Sequence, residues 1–159
     1  MVRTAEPNEV DRIARIWFES WRDAHEQIVP AELARARTLE NFRNRIAVGL
    51  PDVRVVGEIG EPVGFAMIKD DELYQLFVTG SARGSGAAAA LLADAEWLLA
   101  RSGVRTAWLS CAIGNDRAAR FYEKHGWHKV GTMMSHLQTI NGEMTLETWR
   151  YEKILPPLP

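Results

Sequence analysis

The stretch from Glu72 to Ala100 constrains this chain more than any other. Glu72 to Val78 reads as a strand and runs into Thr79-Gly80-Ser81-Ala82-Arg83-Gly84-Ser85-Gly86. Ala87 to Ala100 then carries Leu91, Leu92, Ala95, Leu98 and Leu99 at helical spacing, with Gly103 past its end. Glycines let the backbone take positive φ and approach a ligand closely, and a helix start presents N–H groups that have no acceptor of their own. The turn Gly84-Ser85-Gly86-Ala87 at this helix start would point such groups at an anion, and Arg83 adds a fixed positive charge suited to pyrophosphate. Two glycines also make an ordinary turn, so this segment alone leaves both readings open.

Two rival phosphate motifs fit less well. Gly84-Ser85-Gly86-Ala87-Ala88-Ala89 matches the dinucleotide fingerprint in form. That fingerprint calls for an acid at the end of the next strand, and here the strand ends Trp108-Leu109-Ser110-Cys111. A P-loop is excluded, because no Gly-Lys-Ser/Thr occurs.

The rest of the chain surrounds this unit with short alternating and helical segments. Val2 to Ala5 reads as a strand. Asn8 then offers an N-cap to a helix carrying Val10, Ile13, Ile16, Trp17 and Trp21. Pro30 precedes a second helix over Ala31 to Ala47, closed by Gly49-Leu50-Pro51-Asp52. Val53 to Ile59 and Val63 to Lys69 form a strand pair about Gly60-Glu61-Pro62. Arg105 to Ser110 is a strand, and Asn115 to His125 a helix stopped by Gly126. Trp127 to Ile140 and Glu143 to Ile154 are strands joined by Asn141-Gly142. The order β-α-α-β-β-β-α-β-α-β-β predicts an α/β fold on a mixed, largely antiparallel sheet flanked by helices. With 159 residues, one domain over 1–159 is expected.

Composition removes several classes of function. Nineteen Lys+Arg against 21 Asp+Glu leave a net charge of −2 with no basic tract, which argues against nucleic acid as a partner. The apolar runs are too short to span a membrane, and Met1 to Glu6 turns acidic within six residues, unlike a signal peptide. The single cysteine, Cys111, suits a reducing compartment, so a cytoplasmic protein is expected. His25, His125, His128 and His136 have no ligand spacing for zinc, and no metal is inferred.

The most informative run is Gly114-Asn115-Asp116-Arg117-Ala118-Ala119-Arg120-Phe121-Tyr122-Glu123-Lys124-His125-Gly126-Trp127. On a helix Asn115, Ala118 and Tyr122 share one face. Each has an ordinary structural reading, as N-cap, close-packing residue and boundary aromatic respectively. Taken with the upstream strand, Arg-Gly-x-Gly-Ala turn and alanine-rich helix, the run resembles the GCN5-related N-acetyltransferases, the GNAT superfamily. The specific motifs span Leu76 to Trp127. Glu19 to His25, with Pro30 after it, is similar to a bacterial subgroup. One departure is Ser81, where the family's first motif usually has Gln or Arg.

The resemblance implies acetyl-coenzyme A as co-substrate and a primary amine as acceptor. It implies that the strand bearing Phe77 and Val78 splays from the next one, leaving backbone groups for the pantetheine arm. The turn from Arg83 to Ala88 would hold the pyrophosphate, with Asn115, Ala118 and Tyr122 along the arm. A backbone N–H near Val78 would hold the oxyanion, and Tyr122 would protonate the departing thiolate. An alkylamine is protonated at neutral pH, so a base is required. Glu72 heads the strand with Asp70 and Asp71 beside it, and strict alternation sets it on the face of Tyr74, Leu76 and Val78. An exposed acid at a strand end is the alternative. Glu19, Glu26 and His25 are lesser candidates. An acetyl-cysteine at Cys111 lacks an identifiable partner, so direct attack is expected.

On the acceptor side Trp17, Phe18, Trp21, His25, Trp149 and Tyr151 are candidates to line a pocket, with Trp21 and His25 foremost. The expected function is N-acetylation of a small molecule, amino acid or peptide N-terminus. The alternatives are a non-catalytic acyl-CoA sensor and a transferase using another acyl-CoA. A homodimer is suggested by family analogy alone.

Overall fold

A computed structural model describing residues 1–158 turns these segments into one seven-stranded sheet with helices on both faces. In chain order the elements are β1 (Val2–Thr4), α1 (Val10–His25), α2 (Ala31–Ala36), α3 (Leu39–Gly49), β2 (Val53–Glu58) and β3 (Glu61–Lys69). Then come β4 (Glu72–Val78), α4 (Ala87–Arg101), β5 (Thr106–Ala112), α5 (Asp116–Lys124), β6 (His128–Thr139) and β7 (Gly142–Ile154). The strands stand in the order β1-β2-β3-β4-β5-β7-β6. Every neighbouring pair is antiparallel except β4 with β5. The mixed, largely antiparallel α/β architecture expected from the pattern is the one observed.

Several local expectations need correction. The helix expected over Ala31 to Ala47 is two helices, because Arg37 leaves helical geometry at φ −92 and ψ 78. Thr38 then caps α3 by accepting the Asn41 N–H at 3.1 Å. The capping bond outweighs the continuous apolar spacing. Asn8 lies inside a short 3-10 turn, Pro7–Glu9, and does not cap α1. In the last hairpin Thr139 pairs with Gly142, so the loop is Ile140-Asn141, one residue earlier than expected.

Each face of the sheet has its own apolar cluster. On one, α1 and α3 pack Trp17, Phe42 and Ile46 against Val53, Val55 and Phe65. The Trp17 ring lies 4.6 Å from Phe42 and 5.4 Å from Phe65, centroid to centroid. On the other, α4 and α5 cover Leu109, Cys111 and Tyr151 with Leu92, Leu99 and Ala119. Leu73 belongs to this second face and Tyr74 to the first.

Beyond Tyr74 the strict alternation expected for β4 fails. Met67 pairs with Gln75 while Ile68 pairs with Leu73, so β4 has an extra residue there, a β-bulge. Leu76 and Val78 therefore pack towards α4, whereas Phe77 joins Tyr74 on the α1 face. Glu72 shares a face with Tyr74 but not with Leu76 and Val78.

The second irregularity is larger. β4 and β5 pair only at Glu72 and Trp108, next to the Trp108 N–H to Asp71 O bond of 3.2 Å. Beyond that point they separate, each still held on its outer side by a full ladder to β3 or β7.

The N-terminal edge is fastened by Glu9, which is 1% exposed. Its carboxylate accepts two bonds from Arg3, at 2.9 and 2.7 Å, and the N–H groups of Glu6 and Gly60 at 2.7 and 2.9 Å. It thereby joins β1, the turn before α1 and the β2–β3 hairpin. The bonds from Arg3 outweigh desolvation and hold its pKa down at about 2, against an ordinary 4.5. A depressed carboxylate stabilises the fold above its unfolded pKa, and that stability is lost as pH falls through the folded one. Glu9→Gln is therefore expected to cost about 2 kcal/mol at pH 7. This is below the ~3–5 of a wholly buried pair, because Arg3 stays partly wet. Thermal melts should show a loss of about 4–8 °C at pH 7. The gap to wild type should close as pH falls from about 4.5 towards 2.

Candidate active site

The opening between β4 and β5 lies in the wall of a cavity of about 1190 Å³, lined also by α1, the α2–α3 corner, the start of α4, α5 and β6. Strand geometry determines which backbone groups face it. Thr79 N–H bonds Val63 O at 2.8 Å on the β3 side, so alternation turns the N–H and C=O of Val78 towards the opening. Ser20 Oγ, from α1, reaches that carbonyl at 3.2 Å. Ser20 lies inside the Glu19 to His25 stretch, but one serine on an amphipathic helix carries no signal of this contact.

The turn after β4 has the conformation its glycines suggested. Gly84 and Gly86 both sit at positive φ, +79 and +90. The N–H groups of Gly84, Gly86, Ala88 and Ala89 have no acceptor among the described residues. That of Ala87 is taken by Ser85 Oγ at 3.3 Å. Arg83, Gly84, Gly86 and Ala88 line the cavity, whereas Ala87 is in the core and Ser85 bonds Ala82 O instead. Arg83 donates to Asp23 of α1 at 2.8 Å, and Arg117 of α5 approaches the same oxygen at 3.4 Å. Asp23 is held below the usual carboxylate range by these two bonds, Arg83 first.

Asn115 caps α5 as expected, its Oδ1 accepting the Ala118 N–H at 3.3 Å. Its amide nitrogen donates to His25 Nε2 at 3.4 Å, while His25 Nδ1 donates to Trp21 O at 3.1 Å. These two bonds require a neutral imidazole, and burial lowers its pKa to about 4, only partly opposed by the Trp21 carbonyl. His25 and Trp21 thus link the end of α1 to the start of α5 while lining the cavity.

Tyr122 is fixed through its main chain. Trp127 N–H bonds Tyr122 O at 3.0 Å and Gly126 N–H bonds Glu123 O at 3.2 Å, a Schellman ending with Gly126 at φ +87. The Gly-Trp pair that ended the sequence run is this stop. The Tyr122 hydroxyl has no partner among the described residues, and burial followed by the neighbouring Cys111 drives its pKa upward. Cys111 is itself pushed up to about 12 by burial, so its thiol stays neutral.

Glu72 also lines the cavity. Burial raises its pKa to about 7; Asp71 and Asp70 add to the rise, and Lys69 and Arg150 oppose it. The other acids considered lie elsewhere: Glu19 and Glu26 pair with Arg15 and Arg22 on the outer side of α1. Trp17, Trp21 and His25 reach the cavity. Trp149 and Tyr151 pack on the opposite face, because β7 alternates them away from it. Phe77 and Val78 border the opening, and Ala118 faces it from α5.

A further set of cavity residues was not legible at all. Ser110, Ser135 and Thr148, on β5, β6 and β7, hold their hydroxyls within 2.8–2.9 Å of one another. Arg37 enters from the α2–α3 break. No spacing rule joins such positions.

Comparison with known proteins identifies the family and the fold. The acetyltransferase (GNAT) family model matches residues 10–127. An uncharacterized N-acetyltransferase of Mycobacterium tuberculosis is 38% identical over 112 residues, covering 65% of this chain and 67% of that one. A GCN5-related N-acetyltransferase from Rhodopseudomonas palustris superposes with a TM-score of 0.75 at 21% identity, covering 98% of this chain and 95% of that one. The PaiA N-acetyltransferase of Thermoplasma acidophilum, solved with coenzyme A, gives 0.72 at 17% identity, with 97% and 98% covered. The chain belongs to the GNAT family of acetyltransferases and is an acyltransferase.

Proposed function

We propose that residues 1–159 form one N-acetyltransferase domain that moves an acetyl group from acetyl-CoA to a primary amine by direct attack. The observation that carries this reading is the single cavity shared by the unbonded N–H groups of the Gly84–Ala89 turn, the open β4–β5 edges, Glu72 and Tyr122. The residues fit the co-substrate on this chain's own geometry. Gly84, Gly86, Ala88 and Ala89 would hold the pyrophosphate by backbone donors. The edges of β4 and β5 would hold the pantetheine amides in the manner of an added strand. That the Thermoplasma relative was solved with coenzyme A supports the choice of carrier. Acetyl-CoA supplies an acetyl group activated as a thioester.

The chain's residues supply the proton handling. Glu72, whose pKa burial raises to about 7, takes a proton from the ammonium directly or through water. Val78 N–H, turned into the opening, stabilises the charge developing on the acetyl oxygen. Tyr122 keeps its proton until the sulfur departs and donates it from Oη, and the phenol is restored by the second proton that the acylated nitrogen sheds. Cys111 remains a thiol, which favours direct attack over an acetyl-cysteine.

Three outcomes test this. Acetyl-CoA at millimolar concentration should raise the melting temperature, and Gly86→Val should abolish the rise by straining the turn at φ +90. An unshifted wild-type melt would remove the carrier from the proposal. Tyr122→Phe should keep the thermal shift and the KM for acetyl-CoA while kcat falls about 100-fold, the lower end of the acid-catalysis range. Loss of coenzyme affinity with kcat intact would make Tyr122 a binding residue. For Glu72, wild-type kcat/KM should climb as pH rises through about 7, where the carboxyl ionises. Glu72→Gln should lose that step and about 10²–10⁴ in rate, regaining activity only as free amine accumulates towards pH ~10.

A further inference from the structure

The acceptor side of the cavity is cationic. Among the described residues Glu72 is its one acid, whereas Arg37, Arg45 and Lys69 all contribute to its wall. Arg37 is the unusual member. It is 5% exposed, and among the described residues its side chain bonds only from Nη1, to Gln138 O at 2.9 Å and weakly to Asn41 Oδ1 at 3.5 Å. Nε and Nη2 have no acceptor, and the guanidinium has no carboxylate partner, among the described residues. Burial, and then the like charge of Arg45, lower its pKa to about 10.

Arg45 is no better matched. It stacks over Trp17 at 4.2 Å and donates to Tyr74 Oη at 2.7 Å, again without an acid. Burying one guanidinium beside another without an anion is unfavourable. Anchoring the helix corner to Gln138 O takes only one of the nitrogens of Arg37. Three hydroxyls elsewhere on the wall have the opposite character. Ser110, Ser135 and Thr148 can satisfy one another head to tail, which consumes their hydrogens and leaves lone pairs for an N–H donor. Trp21, Leu33, Leu137 and Leu146 supply apolar wall.

We infer that the acceptor is an amine bearing a carboxylate on an apolar body, an apolar amino acid or a close analogue, with its carboxylate held by Arg37. This rests on the N-acetyltransferase reading above and narrows it. A planar fork matches a carboxylate in two bonds, and an anion at Arg37 relieves its repulsion with Arg45. Polyamines meet the same charges as a barrier.

The test is thiol release from acetyl-CoA with matched acceptors: L-phenylalanine and L-methionine, their carboxamides, phenethylamine and spermidine. The wild-type protein should prefer each acid to its amide by at least about 30-fold in kcat/KM, the low end for truncating one partner of a buried charge pair. The difference should lie in KM. Arg37→Gln should bring that preference close to one, and its thermal shift with acetyl-CoA reports whether the variant is folded. Should it fail to fold, the wild-type comparison decides. Equal or faster acetylation of amides, phenethylamine or spermidine overturns the carboxylate inference and leaves the N-acetyltransferase reading standing. So does an acid preference that survives in a folded Arg37→Gln. Silence with every amine, while acetyl-CoA still raises the melting temperature, overturns both.

Discussion

Two neighbouring strands that share one pair and then part must satisfy the backbone groups beyond it by other means. In this chain β4 and β5 do so past Glu72 and Trp108, and the site follows from that separation. Neither strand is free to close the gap. β4 is paired with β3 from Glu72 to Val78, and β5 with β7 from Thr106 to Ala112. Both faces of the sheet are covered as well, by α1 and α3 on one and by α4 and α5 on the other, and β4 contributes side chains to both apolar clusters. Ser20 answers one exposed carbonyl, that of Val78, and the link from His25 to Asn115 fastens α1 to α5 beside the opening. The bulge at Tyr74 adds a second effect. It leaves Glu72 and Tyr74 on the α1 side while Leu76 and Val78 pack beneath α4.

Burial then decides what each ionisable group around the opening can do. A low-dielectric wall disfavours charge on every group, but the outcome depends on where the group started. A carboxyl moves up to about 7, so Glu72 can gain and lose a proton near neutrality. A phenol and a thiol move further from neutrality, so Tyr122 and Cys111 stay protonated. An imidazole moves down to about 4, so His25 stays uncharged and serves as a bridge. One physical effect therefore separates the group that can accept a proton from those that hold one.

How much of this was legible in the sequence depends on the range of the interaction. Local chemistry was readable: Gly84 and Gly86 at positive φ, Asn115 as a cap, and Gly126 as a stop are decided within a few residues. Glu72 was readable as a candidate from its place beside Asp70 and Asp71, though its raised pKa depends on tertiary burial. Alternation through Tyr74 misled, because a bulge is set by register against β3 and leaves no mark in β4 alone. Thr38 competed locally with the apolar spacing around it, and the cap won. The hydroxyl ring spans positions 110, 135 and 148, and Arg37 meets Gln138 across 101 positions of sequence. Such groups become neighbours only once the sheet is assembled.

Asp23 lies between Arg83 and Arg117 at the mouth of the glycine turn, so these two guanidiniums already have a counter-ion supplied by the chain. Under the proposed function, a phosphate docking on them would compete with that tethered carboxylate, an exchange of one anion for another. The free energy of docking there reflects the difference between two anions, one of them held at a high effective concentration by α1. Without a ligand, the mouth is kept electrically satisfied by the chain itself. A long ligand that also engages the strand edges further in has additional contacts with which to drive the exchange.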